Sequence, residues 1–281
     1  MNRREIKITA KEAAKQAGKA AKLVTLVFLL IQLGLNGLQL LTNFLTSRTS
    51  GGGSISDALA ADTRNKAIVY IIMVIVGIVG VLLNIGYTRI ALQVHRREPV
   101  PMESLLEGFQ IPGRAIGLRL LRALLMLMWT YAILIPAIIL LSIPITPLDR
   151  MTESDTWFVI YLVVLLIVAV AVSTAVSYRY WGATFILLDH PDYTVRECIR
   201  AATEMTRGHR IELFLLDLSL LPWNLLCILT AGILYIWKMP YIAAVYAGAY
   251  EELDRQYQQK KERARELRQQ FPTRQYPPEQ M

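Results

Sequence analysis

Long apolar runs alternate with short charged segments along the whole chain. Six of these runs contain few charges and cover residues 23–45, 67–92, 116–143, 157–178, 213–229 and 233–250. A helix of about 20 apolar residues crosses the hydrocarbon core of a bilayer, which is roughly 30 Å thick. Inside lipid the backbone polar groups must be satisfied within the segment, and a single long run achieves this as a helix. The pattern therefore predicts an all-α, six-helix integral membrane bundle.

The composition agrees with lipid as the main surrounding of the chain. Of its 281 residues, 54% are hydrophobic and 19% are charged, and the mean hydropathy is +0.39. Soluble domains carry about 25% charged residues. The apolar content excludes a disordered chain, and two cysteines, Cys198 and Cys227, are too few for a disulfide scaffold.

The distribution of lysine and arginine predicts the orientation of the helices. Seven of these residues precede the first run, six lie around the connection between the second and third runs, five between the fourth and fifth, and seven in the tail. The connections on the opposite side contain four. Because positively charged segments stay in the cytoplasm, both termini are predicted to be cytoplasmic. The net charge of +8 is thus assigned to topology and anionic lipid, and no aromatic-basic module points to nucleic acid.

A basic amphipathic helix is predicted at residues 9–22, within an N-terminal segment of residues 1–22. Thr9 and Glu12 have the spacing of a capping box, which marks a helix start. Lysines at every fourth residue form one cationic stripe, consisting of Lys7, Lys11, Lys15 and Lys19. The stripe suits contact with an anionic inner leaflet, where each lysine contributes about 1 kcal/mol. A solvated helix with only a topological role explains it equally well.

Two further amphipathic helices are predicted to form a small cytoplasmic cap from about residues 95–115 and 180–210. The first helix covers residues 102–109. Its predicted apolar face consists of Leu105, Leu106 and Phe109. The second begins with a capping box at Thr194 and ends near Gly208. Its predicted apolar face consists of Val195, Cys198, Ala202 and Met205.

The fourth run is too long for the membrane alone. Residues 157–188 contain one charge, Arg179, and as a single helix they would extend about 48 Å. The apolar residues 185–188 then need cover in the cytoplasm. Aromatic and arginine side chains are predicted to anchor the helices at the inner interface, namely Tyr87, Arg89, Tyr178, Arg179 and Trp181. The membrane domain covers residues 23–253, and residues 254–281 form a charged helical extension and a disordered tail.

Polar side chains follow one face of the first run. Gln32, Asn36, Gln39 and Asn43 recur at helical spacing, and Asn84 occupies a similar small-and-polar face of the second run. Amides that face lipid are unfavourable, so we expect these faces to point into the bundle. Helix packing through amide hydrogen bonds is the main interpretation. A polar pathway or a substrate-binding face is the alternative.

Two charges lie within the last two runs. Asp217 and Lys238 are candidates for function because ionised groups inside a membrane are rare. Their distances from the hairpin near residue 231 differ by about 10 Å, so a direct pair is not expected. Asp217 is predicted near the inner headgroups, and Lys238 is predicted to extend outward. Pro136, Pro222 and Pro240 are interpreted as kinks, or as the broken helices of a transporter.

Catalytic machinery of a soluble type is hard to find in this sequence. His95, His190 and His209 have no partner at metal-ligand spacing, and neither cysteine has zinc or redox spacing. We therefore expect no metal and no cofactor. Asp189 and His190 read as a turn before a helix, with a catalytic pair as the alternative.

Several short motifs resemble a family of bacterial membrane proteins. They are YRY at 178–180, FILLDHP at 185–191, MTRGHR at 205–210, LDLS at 216–219, LTAGIL at 229–234, WKMPY at 237–241 and AYEEL at 249–253. The chain resembles the domain-of-unknown-function family nine-seven-five, which is similar in layout to the membrane domain of some bacterial glycerophosphodiester phosphodiesterases. The resemblance implies a multi-pass protein of the bacterial cell membrane. It implies no activity and no catalytic residue.

The sequence therefore predicts a non-enzymatic protein at the cytoplasmic leaflet that binds lipid or an amphipathic peptide or assists transport. Membrane lipids of the anionic inner leaflet are the expected partners, together with a partner membrane protein or an amphipathic peptide. The alternatives are a transporter in its own right, a structural subunit, and a membrane-embedded enzyme that uses Asp217, Glu212, Asp189 or His190. An enzyme requires several ionisable groups that converge in a cavity.

Overall fold

The computed structural model describes residues 3–48, 55–142, 155–230 and 232–270. Every regular element in this part of the chain is a helix, which confirms the all-α prediction. The α-helices are α1 (Arg3–Arg48), α2 (Ile55–Arg96), α3 (Pro112–Ser142), α4 (Asp155–Arg179), α5 (Ala183–Asp189), α6 (Val195–Met205), α7 (Arg210–Leu229) and α8 (Tyr235–Gln270). A 3₁₀ helix (Met102–Gln110) lies between α2 and α3.

Five of the described helical segments are long and apolar enough to cross a membrane. They are Arg3–Thr42, Val69–Arg96, Pro112–Ala132, Val163–Asp189 and Arg210–Leu229. This number is consistent with an integral membrane protein. The sixth predicted run lies on α8, where Lys238 and four tyrosines lower the mean hydropathy. The count of six crossings therefore stays a prediction.

The outward surface of α4 shows why lipid is the natural surrounding of such a helix. Leu166 and Ile167 are more than 60% exposed, and Val163, Val164 and Val170 are also exposed. A continuous apolar surface of this size on a helix is unfavourable in water and favourable in hydrocarbon.

The N-terminal helix begins earlier than predicted. It starts at Arg3, so the capping-box spacing at Thr9 does not mark a helix start. The reason is packing, because Ile6 is buried on the same face as Ala10 and Ala13 and extends the apolar face towards the N-terminus. Gly18 interrupts the regular helix with φ 53°, a backbone conformation that glycine adopts readily.

The 3₁₀ helix packs on α2 through two glycines. A Cβ atom on Gly86 would overlap the backbone carbonyl of Leu105, and one on Gly108 would overlap that of Leu82. The absence of a side chain at both positions lets the two backbones touch. Leu105 is buried whereas Leu106 and Phe109 are exposed, so the three residues do not share one face as predicted. A 3₁₀ helix has about 3.0 residues per turn, so residues 105 and 108 share the packed face.

Ion pairs join α1 and α8 to the C-terminal end of α2. The Nε atom of Arg96 lies 2.6 Å from the Oε1 atom of Glu251, and an Arg97 nitrogen lies 3.3 Å from the Oε2 atom of Glu12. Arg97 has φ 60° and closes α2, where the amide of Glu98 donates to the Gln93 carbonyl at 2.9 Å. These contacts connect the start of the chain with two later helices.

The prediction of one helix over residues 157–188 was wrong. Helix α4 ends at Arg179 and α5 begins at Ala183. Between them the amides of Tyr180 and Trp181 donate to carbonyls three residues earlier, at 3.3 and 3.4 Å. These turns separate α5 from α4. Phe185, Ile186 and Leu187 are buried on α5, which satisfies the expected need for cover.

The predicted start of α6 is confirmed. The Thr194 hydroxyl accepts the Glu197 amide at 3.4 Å, and the Glu197 carboxylate accepts the Thr194 amide at 2.7 Å. Three of the four residues of the predicted apolar face, Cys198, Ala202 and Met205, are buried. The helix ends at Met205, and Gly208 follows with φ 91°.

The described helices belong to two compact units, one comprising Met1–Ile116 and Leu216–Glu252 and the other Gly117–Leu215 and Leu253–Met281. Helix α8 runs without a break to Gln270, so the charged segment continues the helix. Residues 271–281, which contain the predicted disordered tail, lie outside the described residues. The division at residues 22 and 253 stays a prediction.

Candidate functional site

A cavity of about 530 Å³ lies within the second unit, where α4, α6 and α7 meet. Three arginines and one glutamate supply its charges. The residues that line it are Arg179, Thr203, Glu204, Arg207, Gly208, Arg210 and Ile211. Its volume falls within the range of about 300–1,000 Å³ that is typical of small-molecule sites.

Short turns bring these residues together. Arg179 is the last residue of α4, and Arg210 is the first of α7. The hydroxyl of the buried Thr206 donates to the Ala202 carbonyl at 2.9 Å and lies 3.3 Å from the carbonyl oxygen of Arg179. This threonine ties the end of α6 to the end of α4. The glycine turn at Gly208 then starts α7 beside the same cavity.

The cavity has an excess of positive charge and unused donors. The Nε atoms of Arg179 and Arg210 are buried and have no hydrogen-bond partner in the part of the chain that the structure describes. A buried donor without a partner costs about 1–3 kcal/mol. Guanidinium groups bind carboxylate and phosphate with short, charge-assisted hydrogen bonds. The arrangement is therefore suited to an anion.

The start of α7 adds to this positive potential. Its first helical hydrogen bond runs from the Leu213 amide to the His209 carbonyl at 3.0 Å. The amides of the three preceding residues therefore lie in the first turn, which carries the positive end of the helix dipole. Arg210 and Ile211 of this turn line the cavity. A helix start beside guanidinium groups favours phosphate.

Aromatic rings surround the end of α4. The Cζ atom of Arg179 lies 5.9 Å from the ring centroids of Trp129 and Tyr180. Tyr178 packs edge-on against Phe214, with ring centroids 6.3 Å apart. Trp181 packs against Phe185 at 5.6 Å. Of the predicted interface anchors in this part of the chain, Arg179 lines the cavity, and Tyr178 and Trp181 lie within two residues of it in the sequence. The contact of all three with an interface stays a prediction.

The carboxylate of the cavity has two donors of its own. The Nε atom of Arg200 donates to Glu204 Oε1 at 3.1 Å. The hydroxyl of Tyr257, on the charged extension of α8, donates to Glu204 Oε2 at 3.0 Å. Glu204 therefore has a hydrogen bond on each oxygen from groups outside the cavity wall.

The polar stripes of the first two runs belong to the first unit. Asn36 is exposed, and its amide donates to the Gln32 carbonyl of the same helix at 2.8 Å. Gln32 and Gln39 are half-buried, and the side chain of Asn43 lies outside the described part. Asn84 is exposed, and its carbonyl accepts the Thr88 hydroxyl at 2.9 Å. A pathway role for these residues stays a prediction.

The two remaining anchors, Tyr87 and Arg89, make contacts within the first unit. Tyr87 is buried, stacks on Phe28 with a centroid distance of 4.6 Å, and lies 3.1 Å from the Thr25 hydroxyl. Arg89 lies 3.2 Å from Glu107 of the 3₁₀ helix. Tyr87 therefore packs α2 against α1, and Arg89 pairs α2 with the 3₁₀ helix.

The sequence predicts that Asp217 and Lys238, the two charges within the last two apolar runs, do not pair directly. In the structure the Nζ atom of Lys238 lies 3.7 Å from the ring centroid of Trp223, a cation–π contact. Asp217 is half-buried on α7. Lysines 11, 15 and 19 of the cationic stripe are exposed, and Lys7 is partly exposed. Their contact with lipid stays a prediction.

Each of the three histidines contacts a different side chain. His209 Nδ1 lies 3.0 Å from Glu212 Oε2, and His95 Nε2 lies 3.5 Å from Glu251 Oε2. His190 stacks on Tyr193 with a centroid distance of 4.8 Å. Within residues 3–48, 55–142, 155–230 and 232–270, no three His, Cys, Asp or Glu side chains form a group that fits a metal ion.

The sequence indicated Arg179 only as an interface anchor, and Arg207 and Arg210 only as two of the five basic residues between the fourth and fifth runs. One signal was available, because MTRGHR places two arginines around a glycine at the junction of two predicted helices. A helix start next to clustered arginines is a pattern typical of anion-binding sites. What the sequence did not indicate is that α4 ends at Arg179 and so brings a third arginine to this junction.

Comparison with known proteins identifies the family. No curated protein and no solved structure matches the chain. The sequence matches the family described as "Protein of unknown function (DUF975)" over residues 1–257. That range contains every residue that lines the cavity, as well as Tyr257. Because the match covers most of the 281 residues, the chain belongs to this family of proteins of unknown function.

Proposed function

We propose that this protein binds the phosphate group of an anionic lipid at the cytoplasmic leaflet, through Arg179, Arg207 and Arg210. One observation carries the proposal: three arginines line a single cavity whose one carboxylate, on Glu204, already accepts hydrogen bonds from Arg200 and Tyr257. A phosphate group in the cavity would accept hydrogen bonds from the guanidinium groups and neutralise their positive charge. The binding role agrees with the non-enzymatic function expected from the sequence.

The cavity wall favours a lipid over a soluble phosphate compound. Ile211 lines the cavity and is 74% exposed, and Phe214, one turn further along α7, is 45% exposed. Both lie on a helix that is apolar enough to cross a membrane. An apolar surface that continues from a phosphate site offers a path for acyl chains. The exposed lysines of α1 independently favour anionic lipid.

The charged groups support binding more than catalysis. Arginine keeps its proton in proteins, so three arginines offer hydrogen bonds and charge but no general acid or base. Both oxygens of Glu204 already accept hydrogen bonds. A transport-accessory role for the bound lipid fits the same site. A transporter would in addition need a pathway through the membrane. The candidates for the broken helices of such a pathway are α7 and α8, which contain Pro222 and Pro240.

Mutation of two arginines tests the proposal. The probes are a short-chain phosphatidic acid, inorganic phosphate and a short-chain phosphatidylcholine, titrated calorimetrically into the detergent-solubilised full chain. We expect the phosphatidic acid to bind most tightly, because only it combines a dianionic phosphate with acyl chains. In R207Q/R210Q the affinity should fall about tenfold for each arginine removed.

A matched variant controls for net charge. R263Q/R265Q removes two exposed arginines of α8 that do not line the cavity, and its affinity should equal that of the wild type. Equal affinity of R207Q/R210Q and wild type would contradict the proposal. If inorganic phosphate binds as tightly as the lipid, the site takes free phosphate and the assignment to lipid is wrong.

We further propose that the protein spans the bacterial cell membrane six times with both termini in the cytoplasm. Reporter fusions test this arrangement. An alkaline phosphatase fused after Gly53 should be active, because that position is predicted outside, and one fused after Met205 should be inactive. A green fluorescent protein at the same two positions should give the opposite result. Activity of the alkaline phosphatase fused after Met205 would mean that the orientation is the reverse of the proposed one.

A further inference from the structure

We infer that Tyr257 sets the affinity of the arginine cavity by holding the Glu204 carboxylate away from Arg207 and Arg210, an inference that rests on the proposed function.

Glu204 is close enough to Arg207 to compete with a ligand. The two residues are three positions apart, and the Arg207 amide lies 3.2 Å from the Glu204 carbonyl oxygen in the turn that ends α6. Both side chains line the same cavity. A rotation about the side-chain bonds of Glu204 would bring its carboxylate towards the guanidinium groups. There it would neutralise charge that a phosphate needs.

The hydrogen bonds of Glu204 oppose that rotation. Oε1 accepts from Arg200 at 3.1 Å and Oε2 accepts from Tyr257 at 3.0 Å. The Arg200 side chain is 83% exposed, and exposed ion pairs contribute little. Tyr257 is only partly exposed, so its hydroxyl is held in place more firmly than the Arg200 side chain. The tyrosine is therefore the main restraint on the carboxylate.

Tyr257 remains a donor throughout the physiological pH range. Burial raises its pKa to about 12, and the hydrogen bond to Glu204 and the charge of Glu204 act in the same direction. The phenol is thus protonated at neutral pH. A protonated phenol donates to a carboxylate, whereas a phenolate would repel it.

A second contact fixes the position of Tyr257. Lys261 lies four residues later on the same face of α8, and its Nζ atom is 3.4 Å from the Tyr193 hydroxyl. Tyr193 in turn stacks on His190 in the turn before α6. The charged extension of α8 is therefore docked at two points on the unit that contains the cavity. It acts as a positioning element in addition to any role in topology.

The experiment is a double-mutant cycle on Y257F and E204Q, with binding of short-chain phosphatidic acid to the full chain as the readout. Y257F frees the carboxylate, so the affinity should fall about threefold. E204Q removes the competing charge, so the affinity should rise about tenfold. In the E204Q background Y257F should have no effect, because no carboxylate remains to be restrained. Y70F, at an exposed tyrosine of α2, should bind like the wild type.

The outcomes separate this inference from the proposed function. If R207Q/R210Q loses binding while Y257F lowers affinity equally with and without E204Q, Tyr257 acts through packing and the inference is overturned. An unchanged affinity of E204Q would overturn it as well. If R207Q/R210Q binds like the wild type, the proposed function itself fails. Equal melting temperatures of the variants in detergent establish that folding is not the cause of any difference.

Discussion

Replacing Gly86 or Gly108 with alanine is expected to destabilise the protein by about 3 kcal/mol each, the upper end of the range for overpacking. At Gly86 the added Cβ would lie 2.5 Å from the Leu105 carbonyl carbon and closer still to its oxygen. At Gly108 it would lie 2.9 Å from the Leu82 carbonyl carbon. The obstacle is backbone in both cases, so no rotamer change can relieve it. The measurement is the free energy of unfolding in mixed micelles, followed by far-ultraviolet circular dichroism.

Two other glycines serve as controls for these variants. A Cβ on Gly80 of α2 or on Gly113 of α3 would meet no atom within 4 Å. Alanine is a better helix former than glycine, so Gly80→Ala and Gly113→Ala should be as stable as the wild type or slightly more stable. Equal loss of stability in all four variants would show that the close approach of α2 and the 3₁₀ helix is not what the glycines provide.

Tyr250→Ala is expected to cost about 3–5 kcal/mol, because it removes a large buried side chain and leaves a cavity. Tyr250 is the largest side chain among the fully buried residues that the structure describes. The neighbouring Ala247 and Ala249 are also fully buried, so α8 packs closely here and has little freedom to fill the space. Denaturant-induced unfolding in the same micelles measures the effect.

An exposed tyrosine provides the comparison for Tyr250. Tyr70 on α2 is 65% exposed, and Tyr70→Ala removes the same atoms from a surface position. Substitutions at such positions change stability by about 0.5 kcal/mol or less. If Tyr250→Ala costs no more than Tyr70→Ala, then α8 does not contribute a packed core to the first unit.

The burial of α8 within the protein changes how the last apolar run is interpreted. From residue 242 to 250 most of its side chains are buried, among them Val245 and Tyr250. Alanines and glycine dominate this stretch and allow close packing of neighbouring helices. A helix that is covered by protein needs less hydropathy than one that faces lipid. This accounts for the modest hydropathy of α8.

Some local features were predictable because they depend on neighbours in the sequence. The capping box of Thr194 and Glu197 forms as its spacing predicts, since both hydrogen bonds lie within one helical turn. The early start of α1 was missed because Ile6 is held by packing, which the sequence around Thr9 does not reveal. Likewise the exposed Leu106 follows from a 3₁₀ helix, which side-chain periodicity alone did not distinguish from an α-helix.

The sequence by itself determined the helical class of this protein and the apolar runs that suit a membrane, because in lipid runs of this length satisfy their backbone groups only as helices. Its motifs also determined the family. The tertiary structure alone decided which arginines meet. Arg179, Arg207 and Arg210 gather at one cavity because α4 ends at Arg179 and the Thr206 hydroxyl holds the end of α6 beside it. Tyr257 reaches Glu204 from 53 residues further along the chain. Such contacts depend on how helices pack against each other. Side-chain periodicity describes the faces of one helix at a time, so it does not predict these contacts.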